Sequence, residues 1–222
     1  MISWLDDAQD EDDEFIEAAK AIRLLALDVD GVLTDGTIYI AADGECFKGF
    51  NAKDGMGISC ALRNGLDVAI ITGRKSEIIH RRAEELGITT IIEGAKDKRE
   101  ALRSLRRIRG LSVEEVAYVG DDLNDLPAFA ESGLTFAPDD AAEDVYDAAD
   151  IGLDNPGGRG AVREAIEYIL AAQDKWEKIV ASYEQAGQGP PRLPLRRELA
   201  RQKDLEARLR EREREVAAYT KV

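Results

Sequence analysis

Two aspartates, Asp28 and Asp30, follow the short apolar run of residues 24–27. A carboxylate can attack a phosphoryl group and form an aspartyl-phosphate. A second carboxylate two residues away can protonate the leaving alcohol and later take a proton from the attacking water. The pair therefore offers a candidate nucleophile, Asp28, and a candidate acid/base, Asp30, although Asp-x-Asp also occurs at strand ends as a plain turn or cap.

Polar residues suited to phosphate chemistry follow three further apolar runs. They are Thr72, Lys98, Asp121 and Asp122. Mg²⁺ prefers oxygen ligands and usually takes one or two carboxylates beside the substrate phosphate, which Asp28 and Asp121 can supply. Thr72 offers a hydroxyl to the phosphate, and Lys98 offers positive charge to the phosphate and to the nucleophile. Each residue alone has an ordinary structural explanation, but their joint occurrence at strand ends predicts a phosphatase site.

The formal net charge of −15 argues against nucleic acid or an anionic membrane as a partner. A phosphate substrate is repelled by the same charge, so its site needs the local positive charge of Mg²⁺ and Lys98. A lone histidine, His80, and the separated Cys46 and Cys60 support neither His-dependent catalysis, nor a zinc site, nor a disulfide framework. Without a signal peptide or an apolar run of about 18 residues, the chain is predicted to be cytoplasmic.

Apolar runs and helix-like segments alternate through the middle of the chain. The runs are residues 24–27, 68–71, 89–92 and 116–119, and several are rich in β-branched residues. Short runs of this kind suit strands that are buried on both faces. The alternation predicts an α/β fold with a Rossmann-like, doubly wound parallel sheet. Ligands bind beyond the carboxyl ends of strands in such sheets, where the candidate residues stand.

Residues 36–50 break this alternation directly after the first predicted strand. Two strand-like runs flank Asp43 and Gly44, and Asp-Gly between such runs indicates a hairpin turn. We therefore expect a β-hairpin that projects from the sheet.

The two ends of the chain differ from the middle in composition. Residues 1–20 carry eight acidic residues and one lysine, which predicts an acidic N-terminal extension. Residues 21–184 form the predicted catalytic domain, which ends in a long helix of about residues 160–183. Residues 185–222 are predicted to be a linker and a charged helix. That helix is either solvated or a weak coiled-coil or docking helix.

The motifs resemble the four motifs of the haloacid dehalogenase superfamily of phosphatases. Residues 28–36 resemble the first motif, Thr72 the second, Lys98 the third, and residues 120–125 the fourth. The resemblance implies that Asp28 is the nucleophile and that Asp30 is the acid/base. It also implies a Mg²⁺ site formed by Asp28, Asp121 and the backbone carbonyl of Asp30.

A closer resemblance is to a capless subfamily whose members hydrolyse the 8-phosphate of an eight-carbon sugar acid, 3-deoxy-D-manno-octulosonate, in lipopolysaccharide synthesis. Residues 28–36, 50–58, 71–74 and 157–164 carry it. It implies that the hairpin stands in place of a cap domain and that the protein is a homotetramer in which a neighbouring subunit helps to close each site. The substrate contacts it implies are Asp30, Asn51, Ala52, Lys53, Asp54, Gly55, Ser59, Arg74, Arg82, Lys98 and Asp122.

Three questions stay open at this point. A sister group acts on nine-carbon sialic-type sugar phosphates, and Arg74 and Glu85 stand where that group tends to have Glu and Lys, which favours the eight-carbon substrate. A non-catalytic binding protein on the same fold is a second alternative, although no motif residue is missing. Residues 157–160 are either a plain turn before a helix or an element near the site that is donated across subunits.

Overall fold

Six parallel strands form the central sheet of the computed structural model, which describes residues 10–42 and 44–186, without the side chains of residues 10–13 and 186. They are β1 (Leu24–Leu27), β4 (Asp67–Ile71), β5 (Thr90–Ile92), β6 (Val116–Val119), β7 (Leu134–Ala137) and β8 (Ile151–Gly152), while β2 (Ile40–Ala41) and β3 (Gly44–Glu45) form a separate two-stranded sheet. Of the predicted linker and charged C-terminal helix, residues 187–222 lie outside the described residues. The order of the sheet is β5-β4-β1-β6-β7-β8, with every neighbouring pair parallel.

The strands are joined by helices. These are α1 (Asp10–Ala21), α2 (Ala52–Arg63), α3 (Glu77–Leu86), α4 (Lys98–Arg109), α5 (Leu126–Phe129), α6 (Glu143–Tyr146), α7 (Ala161–Ala172) and α8 (Trp176–Ala186). The α/β parallel sheet predicted from the sequence is confirmed. Since the chain order reverses at β1, between β4 and β6, the carboxyl end of β1 is the switch point at which such sheets bind ligands.

Strand β1 shows why both faces of the sheet are covered. Leu25 and Leu27 point into a core cluster that includes Ile58 of α2 and Ile166 of α7. Leu24 and Ala26 point into a second cluster on the opposite face, which includes Leu102 and Leu105 of α4. Successive side chains of a strand alternate between faces, so an unbroken apolar run is buried on both sides. This burial fixes the position of Asp28, the next residue.

The predicted hairpin is confirmed, but its strands are shorter than the sequence suggests. Strands β2 and β3 pair in antiparallel fashion over two residues each. The ladder continues through a hydrogen bond from the Cys46 N–H to the Tyr39 carbonyl (2.9 Å), and the rings of Tyr39 and Phe47 stack with centroids 4.2 Å apart. These contacts hold the hairpin together beyond its two short strands.

The C-terminal half corrects the sequence prediction in two places. Strands β7 and β8 extend the sheet beyond the four strands that were predicted. The predicted long helix is two helices, α7 and α8, which are separated at Asp174, whose φ is +54°. At this break the side chain of Gln173 donates to the carbonyl of Ile22 at 2.7 Å. The break therefore ties the end of α7 to the segment between α1 and β1.

The helical part of the acidic N-terminal segment packs on the domain. Ala19 at the end of α1 is fully buried, and Ile22 just beyond it belongs to the same core cluster. The boundary between an extension and the domain at residue 20 stays a prediction. Among the described residues, no helix combines the length and the apolar composition that crossing a bilayer requires.

Candidate active site

Asp28 lies at the carboxyl end of β1, where the sheet delivers it as a buried side chain. Its backbone N–H donates to the carbonyl of Val119 at the end of β6 (3.1 Å), so the two strand ends are aligned. Burial raises the pKa of Asp28 to about 6, and the nearby Asp125 adds to this effect, while Lys98 opposes it. The Asp28 carboxyl group is therefore largely shielded from solvent at the carboxyl edge of the sheet, with 5% of the residue exposed.

Lys98 bridges two buried carboxylates. Its ammonium nitrogen lies 2.8 Å from Asp28 Oδ1 and 2.7 Å from Asp125 Oδ1. Asp97 places this lysine at the first position of α4 by capping the helix, since its side chain accepts the N–H of Glu100 at 3.1 Å. Burial lowers the pKa of Lys98, but the two carboxylates outweigh it and the pKa is raised. Lys98 therefore stays positively charged beside the nucleophile.

Asp125 connects Lys98 to the loop after β6. It is fully buried, and its Oδ1 also accepts the hydroxyl of Tyr118 at 2.7 Å. Its other oxygen accepts the backbone N–H groups of Asp121 (3.2 Å) and Asp122 (3.4 Å). Sequence reasoning placed Asp125 in the fourth motif without a role. The structure shows that it orients both Lys98 and the turn that carries Asp121.

The carboxylates of Asp28, Asp121 and Asp125 bring oxygen atoms within 4.8 Å of one another. Among the described residues, Asp121 Oδ1 is buried without a hydrogen-bond partner. Burial and the neighbouring Asp28 and Asp125 raise the pKa of Asp121 to about 8. Asp28 and the orphaned oxygen of Asp121 offer the oxygen ligands that a hard divalent cation such as Mg²⁺ prefers, whereas Asp125 is held by Lys98 and Tyr118.

Two cations approach Asp30 from different parts of the chain. Lys48, which follows the hairpin, forms an ion pair with Asp30 Oδ1, and Arg74 Nε lies 3.8 Å from Asp30 Oδ2. Lys48 was not among the predicted site residues, because nothing in its sequence neighbourhood distinguishes it from a solvated lysine. Only the return of the hairpin to the sheet brings it to Asp30.

Thr72 follows β4 and is buried. Its backbone continues the sheet, since its N–H donates to Ile92 and its carbonyl accepts from Ala95. Its hydroxyl oxygen accepts the N–H of Arg74 at 3.3 Å. Thr72 and Arg74 thus stand at the strand end beside β1, as the sequence predicted, and the predicted catalytic residues gather at one edge of the sheet.

The predicted substrate contacts of residues 51–55 surround the first turn of α2. Asn51 caps the helix, with its side chain accepting the N–H of Lys53 at 2.7 Å, and Ala52 and Lys53 are exposed. Asp54 is buried, and its Oδ1 accepts the N–H of Arg163 at 2.8 Å, at the start of α7. This oxygen therefore caps α7, and the contact of Asp54 with substrate stays a prediction.

The remaining predicted contacts lie near this turn or at the motif loop. A Cβ on Gly55 would lie 2.3 Å from a terminal nitrogen of Arg82, so that the arginine packs directly on α2. Arg82 also lies over the ring of Phe50, 5.6 Å from its centroid. Ser59 is half-buried one turn further along α2. Asp122 is exposed, and its side chain accepts its neighbour's N–H.

Residues 157–160 pack against the loop after β1 of their own chain, and their contribution to a neighbouring subunit's site stays a prediction. A Cβ on Gly157 would lie 1.8 Å from the carbonyl oxygen of Gly31, and the N–H of Gly158 donates to the Val32 carbonyl at 2.9 Å. The loop after β1 is therefore supported by backbone-to-backbone contact, for which glycine is required.

Comparisons with known proteins agree with this geometry. A family model for haloacid dehalogenase-like hydrolases matches residues 57–133. The 3-deoxy-D-manno-octulosonate 8-phosphate phosphatase KdsC of Yersinia pestis is 47% identical over 165 residues, which cover 74% of this chain and 88% of that protein. This chain belongs to the 3-deoxy-D-manno-octulosonate 8-phosphate phosphatase family. The recognition made from its motifs is confirmed, and the family is one of phosphomonoester hydrolases.

Solved structures of the 3-deoxy-D-manno-octulosonate 8-phosphate phosphatase family share the fold. The enzyme of Moraxella catarrhalis, solved with magnesium, phosphate and the sugar acid KDO, superimposes with a TM-score of 0.75 at 41% identity and covers 77% of this chain and 98% of its own. A cobalt-bound enzyme of Haemophilus influenzae gives 0.70 at 42% identity, covering 72% and 93%. The family's fold thus spans the part of the chain that carries the candidate site.

Proposed function

We propose that this chain hydrolyses 3-deoxy-D-manno-octulosonate 8-phosphate to the free sugar acid and phosphate, as a step in lipopolysaccharide sugar synthesis. The observation that carries the proposal is the contact of buried Lys98 with Asp28, beside the orphaned oxygen of Asp121. Mg²⁺ bound by Asp28, Asp121 and the Asp30 carbonyl would supply charge neutralisation for the phosphoryl group. The Moraxella relative with bound magnesium, phosphate and KDO supports both the metal and the substrate.

The proposed reaction has two steps. An oxygen of Asp28 attacks phosphorus, the bond between phosphorus and the sugar oxygen breaks, and Asp30 gives a proton to that oxygen. Water then attacks the aspartyl-phosphate, Asp30 takes the proton from the water, and the bond between phosphorus and Asp28 breaks. Lys98 holds positive charge beside Asp28 throughout, and Thr72 offers its hydroxyl to the phosphoryl oxygens.

The nine-carbon sugar phosphate is the second candidate substrate. Arg82 forms an ion pair with Glu85 at 2.8 Å, so the position where the sister group tends to have Lys holds an acid that neutralises part of the local positive charge. The residues Arg74 and Glu85, where the sister group tends to have Glu and Lys, support the eight-carbon substrate. A direct test compares kcat/KM for the two substrates with Mg²⁺ present. A higher value for the nine-carbon ester would reverse the assignment, and no phosphate release from either substrate or from a generic ester would support a non-catalytic role.

We propose a homotetramer in which the hairpins of four subunits meet. The hairpin exposes apolar side chains that a single copy leaves in water, with Ile40 70% and Phe47 55% exposed. Sedimentation equilibrium tests the assembly, and a monomer at micromolar concentration would exclude it. Replacement of Ile40 and Phe47 by serine should shift the tetramer toward smaller species if the hairpins form the interface.

A further inference from the structure

Lys48 is a buried lysine in contact with the proposed acid/base. Only 2% of its side chain is exposed, and its ammonium group forms ion pairs with Asp30 and, at 3.0 Å, with Glu45 Oε1. Lysine is almost never fully buried unless it is paired. The position of the Lys48 ammonium is therefore fixed by two carboxylates, one from the loop after β1 and one from the hairpin.

Glu45 is in turn anchored to the start of α3. Its Oε2 accepts the hydroxyl of Ser76, which occupies the N-cap position of that helix. Serine at this position usually accepts an N–H of the first helical turn, but the Ser76 side chain makes no such bond. The backbone N–H of Ser76 donates to Glu93 at 2.8 Å. The Ser76 hydroxyl therefore binds Glu45 of the hairpin instead of capping α3, and Glu45 in turn binds Lys48.

Each carboxylate oxygen of Asp30 lies near a cation, and the two cations come from separate parts of the chain. Lys48 contacts Oδ1, whereas Arg74 Nε approaches Oδ2 at 3.8 Å. Asp28 has a different lysine, Lys98. Each aspartate of the pair therefore has its own buried lysine, and only the one on Asp30 comes from the segment that follows the hairpin.

We propose that Lys48 is a positioning residue for Asp30, and that Glu45 and Ser76 hold Lys48 in place. The inference rests on the proposed function, because it takes Asp30 as the acid/base. Proton transfer needs heavy atoms about 2.6–3.2 Å apart. A carboxyl group that is free to rotate meets this requirement only part of the time, whereas one fixed by Lys48 presents the same oxygen to each substrate.

This role predicts a dependence on the leaving group. The alkoxide of glycerol 2-phosphate needs a proton as it departs, whereas the nitrophenolate of p-nitrophenyl phosphate departs without one. Since a positioned general acid contributes about 10²–10⁴-fold, Lys48→Met should slow cleavage of the glycerol ester by about 100-fold. It should slow cleavage of the nitrophenyl ester by less than about fivefold.

The experiment measures consumption of each ester in a single turnover, with enzyme in excess over substrate and Mg²⁺ present. Under these conditions ester consumption reports the attack of Asp28 on phosphorus, and the later hydrolysis of the aspartyl-phosphate, which is the same for both esters, does not limit the signal. Lys48→Arg keeps a cation near Asp30 and should recover part of the lost rate. Glu45→Gln and Ser76→Ala keep the lysine but weaken the contacts that hold it, so they should show the same selective loss in smaller measure. Lys178→Met, a change at an exposed lysine of α8, is the matched control.

The outcomes separate the inference from the proposed function. Selective loss on the glycerol ester in Lys48→Met, or in Glu45→Gln if the first variant does not fold, supports the positioning role. An equal slowing of both esters, or of neither, overturns that role while the phosphatase assignment stands. If the unmodified protein cleaves neither ester nor the sugar acid 8-phosphate, the proposed function fails and the inference fails with it.

Discussion

Lys98 Nζ and Asp125 Oδ1 lie 2.7 Å apart, and both side chains are buried. The ion pair also contacts the proposed nucleophile, because the same lysine nitrogen lies 2.8 Å from Asp28 Oδ1. Burial beside Asp125 raises the pKa of Tyr118 well above its ordinary value, so its hydroxyl stays protonated and donates to Asp125. Asp125 thus gathers a lysine, a tyrosine and the turn of the fourth motif at one carboxylate.

Replacement of Asp125 by Asn should weaken both the fold and the catalysis. Removal of one partner from a buried ion pair costs about 3–5 kcal/mol, and the contact of Lys98 with Asp28 should limit the loss to the lower end. Supporting residues around metal sites typically change activity about 10–100-fold. Urea unfolding and steady-state kinetics measure the two effects. Tyr118→Phe, which removes one hydrogen bond, should cost only about 1 kcal/mol. An unchanged unfolding free energy in Asp125→Asn would contradict the account.

Replacement of Asp28 by Asn should abolish turnover and leave the fold intact. Because burial raises the pKa of Asp28 to about 6, a neutral amide of the same shape is compatible with the site. Phosphate release measures turnover, and circular dichroism with thermal unfolding measures the fold. Asp147→Asn, at an exposed position after α6, is the control and should retain full activity. Residual turnover of Asp28→Asn above the background would rule out Asp28 as the nucleophile.

The metal-free protein should lose stability as the pH rises from about 5 to about 8. The pKa of Asp121 is raised to about 8 and that of Asp28 to about 6, so the folded state binds more protons than the unfolded state in this window. Stability therefore falls as these protons are released. Mg²⁺ competes with the same protons, so its stabilising effect should be larger at pH 8 than at pH 6.

Thermal unfolding in EDTA and in Mg²⁺ at the two pH values tests this dependence. The Mg²⁺-induced shift of Tm is expected to be a few degrees larger at pH 8 than at pH 6, which corresponds to a difference in unfolding free energy on the order of 1 kcal/mol. In Asp121→Asn the difference should shrink markedly. Equal Mg²⁺ shifts at both pH values in the unmodified protein would contradict the assignment of Asp121 to the metal.

Gly31→Ala should impair the metal site through a direct collision. The φ of Gly31 is +99°, and a Cβ there would lie 1.9 Å from Asp121 Oδ2. Displacement of this carboxylate by about 1 Å can cost about 100-fold in rate. Gly65→Ala is a matched control, because Gly65 also has a positive φ of +81° but has nothing within 4 Å of the added atom. The control should lose about 1–2 kcal/mol of stability and keep its rate. Equal rates in the two variants would show that the contact with Asp121 does not matter.

The sequence allowed the central part of the fold to be predicted because apolar runs dictate strands and strand ends converge. Thr72, Lys98 and Asp121 could each be assigned to the same edge of the sheet, at the carboxyl ends of its strands, from the sequence alone. Strand β8 was missed because its two residues are too few to show a pattern. The break at Asp174 was missed because the positive φ there belongs to a residue other than glycine.

Residues whose role depends on tertiary contact could not be predicted in the same way. Lys48 carries no local signal, since only the fold of the hairpin buries it against Asp30. Asp125 was visible in the motif, but its bond to Tyr118 depends on the packing around β6. The substrate contact of Asp54, implied by family resemblance, stays a prediction, but the hydrogen bond by which Asp54 joins α2 to Arg163 of α7 could not be predicted from the sequence.

The bond between Asp54 and the Arg163 amide spans 109 positions, and this has a consequence for the order of events at the ribosome. Helix α2 leaves the exit tunnel long before α7 has been translated. A nascent chain can therefore already include Asp28, Asp30, Lys98 and Asp121 before Arg163, the partner of the Asp54 carboxyl group, has been synthesised. Completion of this part of the core is thus a late event, because such long-range contacts form only after the intervening chain has been ordered.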